Sequence, residues 1–282
     1  MPASPPARSE VESLHAYSAP LEGRRGLLRL DFNENTVGPS PKVVEAIRAI
    51  PGDQYAIYPE YDGLREAVLA SLADMPGAIA ADAPSTAPAP AAVPAVAPAN
   101  RADGVPALAT VSLPQPPALR PSLRIEQVGL FNGVDAAIQA LFQAYGAPGD
   151  RLLTTSPTFG YYTPCARMQG MAIEAIAYEL PGFGFPLAAI RDALNGGSGS
   201  TPPRLLLICN PNNPTGTRLA PERILELAAA SPGTLVVVDE LYEAFTGDSV
   251  LPASLALPNL LVLRSLSKTA GIAGLRIGFA IG

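Results

Sequence analysis

The residues best suited to chemistry lie near the end of the chain. The sequence contains two lysines, and one of them, Lys268, lies among small and apolar residues in the stretch RSLSKTAGIAGLR (264–276). An apolar setting disfavours the charged form of an amine and lowers its pKa, and a neutral lysine amine can form a Schiff base with an aldehyde. The hydroxyls of Ser265 and Ser267 and the guanidinium of Arg276 are suited to binding a phosphate monoester. The stretch therefore indicates a site for an aldehyde that carries a phosphate group.

A carboxylate at the end of another apolar run extends this chemistry. Asp239 ends the run TLVVVD (234–239), and Glu240 follows it directly. An aldehyde that carries a phosphate, and whose ring nitrogen needs an acid, describes pyridoxal 5'-phosphate. Adjacent acids at a strand end are also typical of magnesium sites, so that alternative stays open at this point. The sequence contains no Gly-x-x-x-x-Gly-Lys-Ser/Thr loop, which disfavours a P-loop nucleotide enzyme.

Two turns elsewhere in the chain carry further candidate residues. CNPNNPTGT (209–217) has more asparagine than a plain turn needs, although Asn, Pro and Gly are ordinary turn formers. In FNGVDAAI (131–138) a glycine turn precedes a helix, and the first backbone N–H groups of a helix can hold a phosphate. Each turn alone is a weak indicator, because many turns between strands and helices look the same.

All of these residues lie at the ends of elements that the hydrophobic pattern predicts. After residue 121, helix-length segments such as DAAIQALFQAYG and APERILELAAA alternate with short apolar runs. These runs are EQVGLFNG, RLLTTS, MAIEAIAYEL, RLLLICN, TLVVVDE, NLLVLRS and RIGFAIG. The alternation is typical of βαβ units around a largely parallel, buried sheet, in which ligands bind where strands end. We therefore predict an α/β fold with its site at the strand ends.

Composition divides the chain into four predicted regions. Residues 1–30 form a leader that is partly disordered, and residues 31–75 form an N-terminal segment with the first helices. Residues 76–121 are rich in Pro and Ala and have few bulky apolar side chains, so we expect a flexible insertion that cannot bury a core. Residues 122–282 form the large domain that carries the candidate site.

Bulk composition excludes several classes of protein. A hydrophobic fraction of 48% supports a buried core, and a net charge of −6 without a basic cluster disfavours nucleic-acid binding. The first 20 residues contain no continuous apolar run, so we expect neither a signal peptide nor a membrane anchor, and a cytoplasmic protein. Cys165 and Cys209 do not suggest a disulfide framework, and His15 is the only histidine. We therefore expect no metal site and no ordinary Ser-His-Asp triad.

Together these motifs resemble the fold-type I pyridoxal-phosphate-dependent aminotransferases (class I/II), most closely their histidinol-phosphate aminotransferase branch. The likeness runs from about residue 30 to residue 282, interrupted by the insertion. It rests on LDFNENTVGPSPKV, YPEYDGLREAV, NGVDAAI, PTFGYY, CNPNNPTGT, VVVDELYEAF and RSLSKTAGIAGLRIGFAIG. The resemblance implies the large domain of that family, a three-layer α/β/α structure with a mostly parallel mixed sheet. It also implies that the family's C-terminal small domain, which carries a carboxylate-binding arginine, is absent here.

The resemblance implies roles for the residues that would surround the ring of the cofactor. Lys268 would be the Schiff-base lysine, and Asp239 would pair with the pyridinium nitrogen. Tyr242 and Asn213 would hydrogen-bond the phenolic oxygen of the ring, on which Phe159 would stack.

Further residues would hold the phosphate of pyridoxal 5'-phosphate according to the same resemblance. Within one subunit these are Val134, Asp135, Ser265, Ser267 and Arg276. Tyr58 would reach the phosphate from the neighbouring subunit, which implies a homodimer with shared active sites.

The resemblance also implies a reaction between two small molecules, an amino donor and a 2-oxo acid acceptor. The reaction we expect is amino transfer from histidinol phosphate to 2-oxoglutarate in histidine biosynthesis. Two alternatives stay open within the same cofactor class: an aminotransferase for aromatic or other amino acids, and an enzyme similar to threonine-phosphate decarboxylases. A third alternative is an inactive remnant that at most binds the cofactor.

Overall fold

The apolar runs form seven strands of one sheet, which confirms the strand predictions. The protein is described here by a computed structural model that covers residues 6–14, 22–61, 63–73, 123–196, 201–254 and 256–282. The strands are β1 (Val128–Asn132), β2 (Arg151–Ser156), β3 (Ala172–Ala177), β4 (Leu205–Cys209), β5 (Leu235–Asp239), β6 (Leu260–Ser265) and β7 (Ile277–Ile281). The uniformly apolar and buried run LLLIC of β4 suits a strand that is covered on both faces.

The strand order brings the candidate motifs of the large domain to one edge of the sheet. The order is β1-β7-β6-β5-β4-β2-β3, in which β2 to β6 are parallel and β7 is antiparallel to both of its neighbours. At the edge, Cys209 pairs with Asp239, and Asn132 at the end of β1 pairs with Ile277 at the start of β7. The turns after β1, β4, β5 and β6 and the turn before β7 therefore meet there.

Helices cover both faces of this sheet. They are α1 (Ser9–Glu12), α2 (Pro41–Arg48), α3 (Leu64–Ala73), α4 (Val134–Tyr145), α5 (Tyr162–Met168), α6 (Leu187–Leu194), α7 (Pro221–Ala230) and α8 (Leu251–Ser254). Short 3-10 turns lie at Arg24–Gly26, Gly52–Tyr55, Ile125–Gln127, Glu243–Phe245 and Ala273–Leu275. No helix among the described residues is long and apolar enough to cross a membrane.

Two hydrophobic cores flank the sheet and make the fold a three-layer α/β/α structure, as predicted. Neighbouring side chains of a strand point to opposite faces, so Leu205 and Leu207 of β4 join one core while Leu206 and Ile208 join the other. The first core is completed by α4 and α5, and the second by α6 and α7 with parts of α3 and α8. The sheet is thus rigidly held where it carries the candidate site.

The predicted division into regions is only partly covered by the described residues. The Pro/Ala-rich insertion at 76–121 lies outside them, as does part of the leader. Within the leader, Arg8 Nη2 donates a hydrogen bond to the Met168 carbonyl at the end of α5 (2.8 Å). The four-region division therefore stays a prediction.

Candidate active site

Asp239 is the most buried acid of the site. It ends the central strand β5 and is 1% exposed. Its Oδ2 accepts a hydrogen bond from the Tyr162 hydroxyl (2.7 Å), and its Oδ1 accepts one from the Leu241 amide (3.1 Å). Both donors are neutral, and burial raises the pKa of Asp239 to about 6, against the opposing effect of the Lys268 charge. A cationic N–H group placed against this carboxylate would supply the charge partner that it lacks.

Lys268 follows β6 and is half-buried beside the same strand ends. Its Nζ donates a hydrogen bond to the Phe32 carbonyl (2.6 Å) and lies 5.9 Å from the centroid of the Tyr242 ring. Burial lowers the pKa of the Lys268 amine, although the charges of Asp135, Glu34 and Asp239 act in the opposite direction. The net direction favours the neutral amine, which is the form that attacks an aldehyde.

Tyr242 and Asn213 come from neighbouring loops and meet above the strand ends. Asn213 follows β4 and donates a hydrogen bond from Nδ2 to the Tyr242 hydroxyl oxygen (3.4 Å). Asn33, from the N-terminal segment, donates a second one to the same oxygen (3.0 Å). Burial raises the pKa of Tyr242, so the group is a neutral phenol with a proton to donate.

The turn between β1 and α4 holds the Arg276 guanidinium at one end of the cluster. Gly133 has a φ of 80° and leads into the first N–H groups of α4. A Cβ on Gly133 would lie 2.3 Å from Arg276 Nη2, so the guanidinium rests directly on this turn. Arg276 Nη2 donates a hydrogen bond to Asp135 Oδ2 (3.1 Å). A helix start and a guanidinium together suit a phosphate, and we call this group the cradle.

Two serines and a glycine complete the cradle. The Ser265 hydroxyl donates a hydrogen bond to Ser267 Oγ (2.8 Å), and the Ser267 amide donates one to Ser265 Oγ (3.1 Å). Gly278 of β7 allows the close approach of the β1–α4 turn, because a Cβ there would lie 2.4 Å from the Gly133 carbonyl carbon. The hydroxyls of Ser265 and Ser267 and the Arg276 guanidinium thus lie near the β1–α4 turn.

Of the predicted site residues, Phe159 is connected to the cluster and Tyr58 is not. Phe159 is half-buried, and its ring lies 5.5 Å from the Tyr162 ring at 81°, which connects it through Tyr162 to Asp239. Tyr58 is 97% exposed and does not join the cluster. Apart from Tyr58, the fold of one chain brings the sequence-predicted site residues to the same edge.

Tyr162 and Asn33 belong to the cluster, and the sequence analysis missed both. Tyr162 is the last residue of PTFGYY and lies three positions after Phe159, so its place beside a predicted ring-stacking residue was the available signal. Asn33 hydrogen-bonds Tyr242 across 209 positions of the chain, and no local pattern indicates such a contact.

The two adjacent acids after β5 have separate partners. Glu240, which is 2% exposed, accepts hydrogen bonds from Arg264 Nε, Ser249 Oγ and the Val250 amide (each 2.8 Å). Arg264 therefore neutralises Glu240, while Asp239 faces the cluster. Within the described part of the chain, no group of three or more His, Cys, Asp and Glu side chains could hold a metal ion. The magnesium alternative thus receives no support from this geometry.

The cluster fits the functional groups of pyridoxal 5'-phosphate. A buried carboxylate without a cationic hydrogen-bond donor suits a pyridinium N–H, and a half-buried amine with a lowered pKa suits an aldehyde. The Tyr242 hydroxyl suits a phenolic oxygen, and the cradle around Arg276 suits a phosphate.

Comparison with known proteins gives a consistent result. The family model for aminotransferase class I and II matches residues 120–282. A histidinol-phosphate aminotransferase from Roseiflexus castenholzii is 32% identical over 97% of this chain and 62% of its own length. One from Neisseria meningitidis is 42% identical over 55% of this chain and 40% of its own length. The chain thus spans less than two thirds of the length of these relatives.

The fold has a counterpart among solved structures. A crystal structure of histidinol-phosphate aminotransferase from Sinorhizobium meliloti in complex with pyridoxal-5'-phosphate superimposes with a TM-score of 0.66 and 20% identity. The match covers 100% of this chain and 64% of the other. At this level of identity the likeness establishes the fold.

Proposed function

The chain belongs to the class I and II aminotransferases, and on that premise we propose that it binds pyridoxal 5'-phosphate and transfers an amino group from histidinol phosphate to 2-oxoglutarate. The observation that carries the proposal is the meeting of Lys268, the buried Asp239 and the Arg276 cradle at one edge of the sheet. A half-buried amine with a lowered pKa, a buried acid and a phosphate cradle are the three parts that this cofactor requires.

Asp239 has an electrostatic role in the proposed reaction. When bound, the cofactor supplies a protonated ring that withdraws electrons from the substrate's Cα. The Asp239 carboxylate keeps the ring nitrogen protonated, because the buried anion stabilises a neighbouring cation more strongly than water would. The hydroxyl of Tyr162 and the amide of Leu241 fix the orientation of this carboxylate.

Lys268 has two proposed roles, attachment of the cofactor and proton transfer. Once a substrate amine has replaced it, the Lys268 amine is free to take the proton from the substrate's Cα as a general base. Its lowered pKa favours the neutral form that this step needs. The half-buried position limits competition from water.

The remaining residues hold the cofactor in place. Tyr242 and Asn213, which contact each other, would bind the phenolic oxygen, Phe159 would stack on the ring, and the cradle around Arg276 would bind the phosphate. A fixed ring orients the bond to be broken relative to Lys268, and such orientation contributes a large share of the rate in bimolecular reactions.

The donor and the acceptor are proposed from the relatives. The matched curated proteins from R. castenholzii and N. meningitidis are histidinol-phosphate aminotransferases, although the chain covers less than two thirds of each. The test is a coupled assay that compares histidinol phosphate with phenylalanine and threonine phosphate as donors, with 2-oxoglutarate as acceptor. We expect turnover with histidinol phosphate at a kcat/KM at least about tenfold above the others.

Each other outcome of this assay has a defined meaning. A preference for phenylalanine would replace the proposed donor by an aromatic amino acid. Release of carbon dioxide from threonine phosphate without amino transfer would indicate a decarboxylase. Cofactor binding without turnover of any donor would indicate the inactive remnant.

We also propose a homodimer in which Tyr58 reaches the phosphate cradle of the second subunit. The N-terminal segment supports it, because its exposed apolar side chains are typical of a surface that a partner covers. Those more than half exposed are Leu27, Leu28, Leu30, Val37, Tyr55, Ile57, Tyr58 and Tyr61. Sedimentation velocity of the chain with bound cofactor is expected to give a dimer, and a monomer at all concentrations would contradict the proposal.

A further inference from the structure

A short segment of the N-terminal region passes over the site and touches it at three points. We call residues 31–35 the strap. The Phe32 carbonyl accepts a hydrogen bond from Lys268 Nζ (2.6 Å), and Asn33 Nδ2 donates one to the Tyr242 hydroxyl oxygen (3.0 Å). Asn35 Nδ2 donates one to the carbonyl of Thr269, the residue after Lys268 (3.1 Å). The strap therefore contacts the lysine, the phenol and the backbone directly after the lysine.

Arg24 contacts three residues of the strap and holds the strap in place. Its Nη2 donates hydrogen bonds to Asp31 Oδ1 (2.7 Å) and Glu34 Oε2 (3.0 Å), and its guanidinium lies 4.3 Å from the centroid of the Phe32 ring. The Arg24 side chain is 12% exposed, so these charge-assisted contacts are partly shielded from water. The strap thus has a fixed position relative to the site.

Asn33 adopts a backbone conformation that few residue types accept. Its φ is 52°, in the left-handed region that Asn tolerates better than most side chains. Such conformations are costly and occur where surrounding contacts impose them, often at functional sites. The positive φ of Asn33 is associated with such a contact, because the Asn33 side chain itself donates the hydrogen bond to Tyr242.

We propose that Asn33 is a positioning residue that aims the Tyr242 hydroxyl at the phenolic oxygen of the cofactor. The inference rests on the proposed function. Tyr242 has one proton to donate and an oxygen that accepts, and the amides of Asn33 and Asn213 both donate to that oxygen. The proton of the Tyr242 hydroxyl therefore remains available for a hydrogen bond to a third group. Donors on a hydroxyl oxygen also strengthen its own O–H as a donor.

The test is a double-mutant cycle on binding of pyridoxal 5'-phosphate. Asn33→Gly removes the amide and keeps a residue that accepts a positive φ, so it separates the contact from backbone strain. We expect Asn33→Gly to weaken cofactor binding about three- to tenfold, the effect of one hydrogen bond. In the Tyr242→Phe background the same change is expected to have no effect, because there is no hydroxyl to aim.

Two further variants make the test specific. Asn33→Asp keeps the size and backbone preference of the residue but removes the N–H donor, so we expect it to weaken binding at least as much as Asn33→Gly. Asn33→Asp is also expected to shift the visible absorbance of the bound cofactor. If Asn33 only filled space, this absorbance would stay unchanged. Asn195→Gly, at an exposed helix end, is the matched control and is expected to bind like the wild type.

Failure of the inference and failure of the proposed function give different results. Suppose that the wild-type chain binds the cofactor and that Asn33→Gly weakens cofactor binding by the same factor with and without the Tyr242 hydroxyl. Asn33 then does not act through Tyr242. Unchanged binding and absorbance in Asn33→Asp would overturn the inference in the same way. If the wild type itself shows no Lys268-dependent absorbance, the proposed function fails.

Discussion

Replacement of Lys268 by alanine is expected to abolish the yellow colour that the chain acquires with pyridoxal 5'-phosphate. The visible band requires a covalent bond between the cofactor and an amine, and Lys268 provides the amine at the site. Amino transfer is expected to fall by about 10²- to 10⁴-fold from the loss of proton transfer alone. Absorbance spectra and the coupled assay measure the two effects.

The chain offers a matched control for this substitution. Lys42, the other lysine, is exposed in the first turn of α2 and takes no part in the cluster. Lys42→Ala is therefore expected to keep the colour and the turnover of the wild type. Equal loss in both variants, or a yellow Lys268→Ala protein with normal turnover, would contradict the assigned role of Lys268.

The strands could be predicted from the sequence because their apolar composition indicates that they are buried. The run LLLIC of β4 is apolar at every position, and LVVVD of β5 is apolar up to its final Asp239, as expected of strands with two covered faces. Sheet order is different, since it depends on contacts between distant segments. The sequence does not show that β7 inserts between β1 and β6 in the antiparallel sense, yet this insertion brings Arg276 to the turn at Gly133.

The candidate site was predictable wherever a residue type is unusual in its context. Lys268 stands out because lysine is rare in this chain, and Asp239 because it ends a fully apolar run. Asn33 carries no such signal: asparagine is ordinary in a loop, and its partner is 209 positions away. Tyr58 shows the converse: in the proposed dimer it would serve the second subunit, so its partner would lie outside its own chain.

Glu240 illustrates how structure decides between two interpretations of one motif. In the sequence, Asp239 and Glu240 are equivalent acids at a strand end. In the fold, the side chain of Glu240 reaches Arg264 and Ser249, and the buried charge is compensated there. Asp239 has neutral hydrogen-bond donors only, and this difference supports the proposal that it is the acid beside the cationic ring nitrogen.

Asp239→Asn is expected to reduce amino transfer by about 10²- to 10³-fold, as for loss of one strong electrostatic contact in an active site. Asparagine keeps the size of the side chain and can still accept the Tyr162 hydrogen bond, but it has no charge with which to hold a proton on a ring nitrogen. Single-turnover kinetics with the cofactor-loaded protein measure the loss. Cofactor binding is expected to survive in part, because Lys268 and the phosphate cradle remain.

The same substitution is expected to stabilise the cofactor-free chain at neutral pH. Because the folded-state pKa of Asp239 is about 6, against an ordinary value of 3.8, the folded protein binds this proton more tightly than the unfolded chain does. Its contribution to the free energy of unfolding is complete below about pH 4 and is lost as pH rises to about 6. Asparagine does not ionise, so the variant escapes this loss. Allowing for a lost hydrogen bond from the Leu241 amide, the net gain at pH 7 is about 1 to 2 kcal/mol.

Urea unfolding of both cofactor-free proteins at about pH 4 and pH 7 checks the sign. The other titratable groups are common to both, so the difference between the proteins isolates Asp239. We expect no gain at about pH 4, where the wild-type carboxyl is mostly protonated, and a gain at pH 7. Asp192→Asn, at an exposed position of α6, is the matched control for an Asp-to-Asn change outside the site. A destabilised Asp239→Asn protein at pH 7 would mean that the carboxylate is already compensated without the cofactor, and the argument that it awaits a cationic ring would fail.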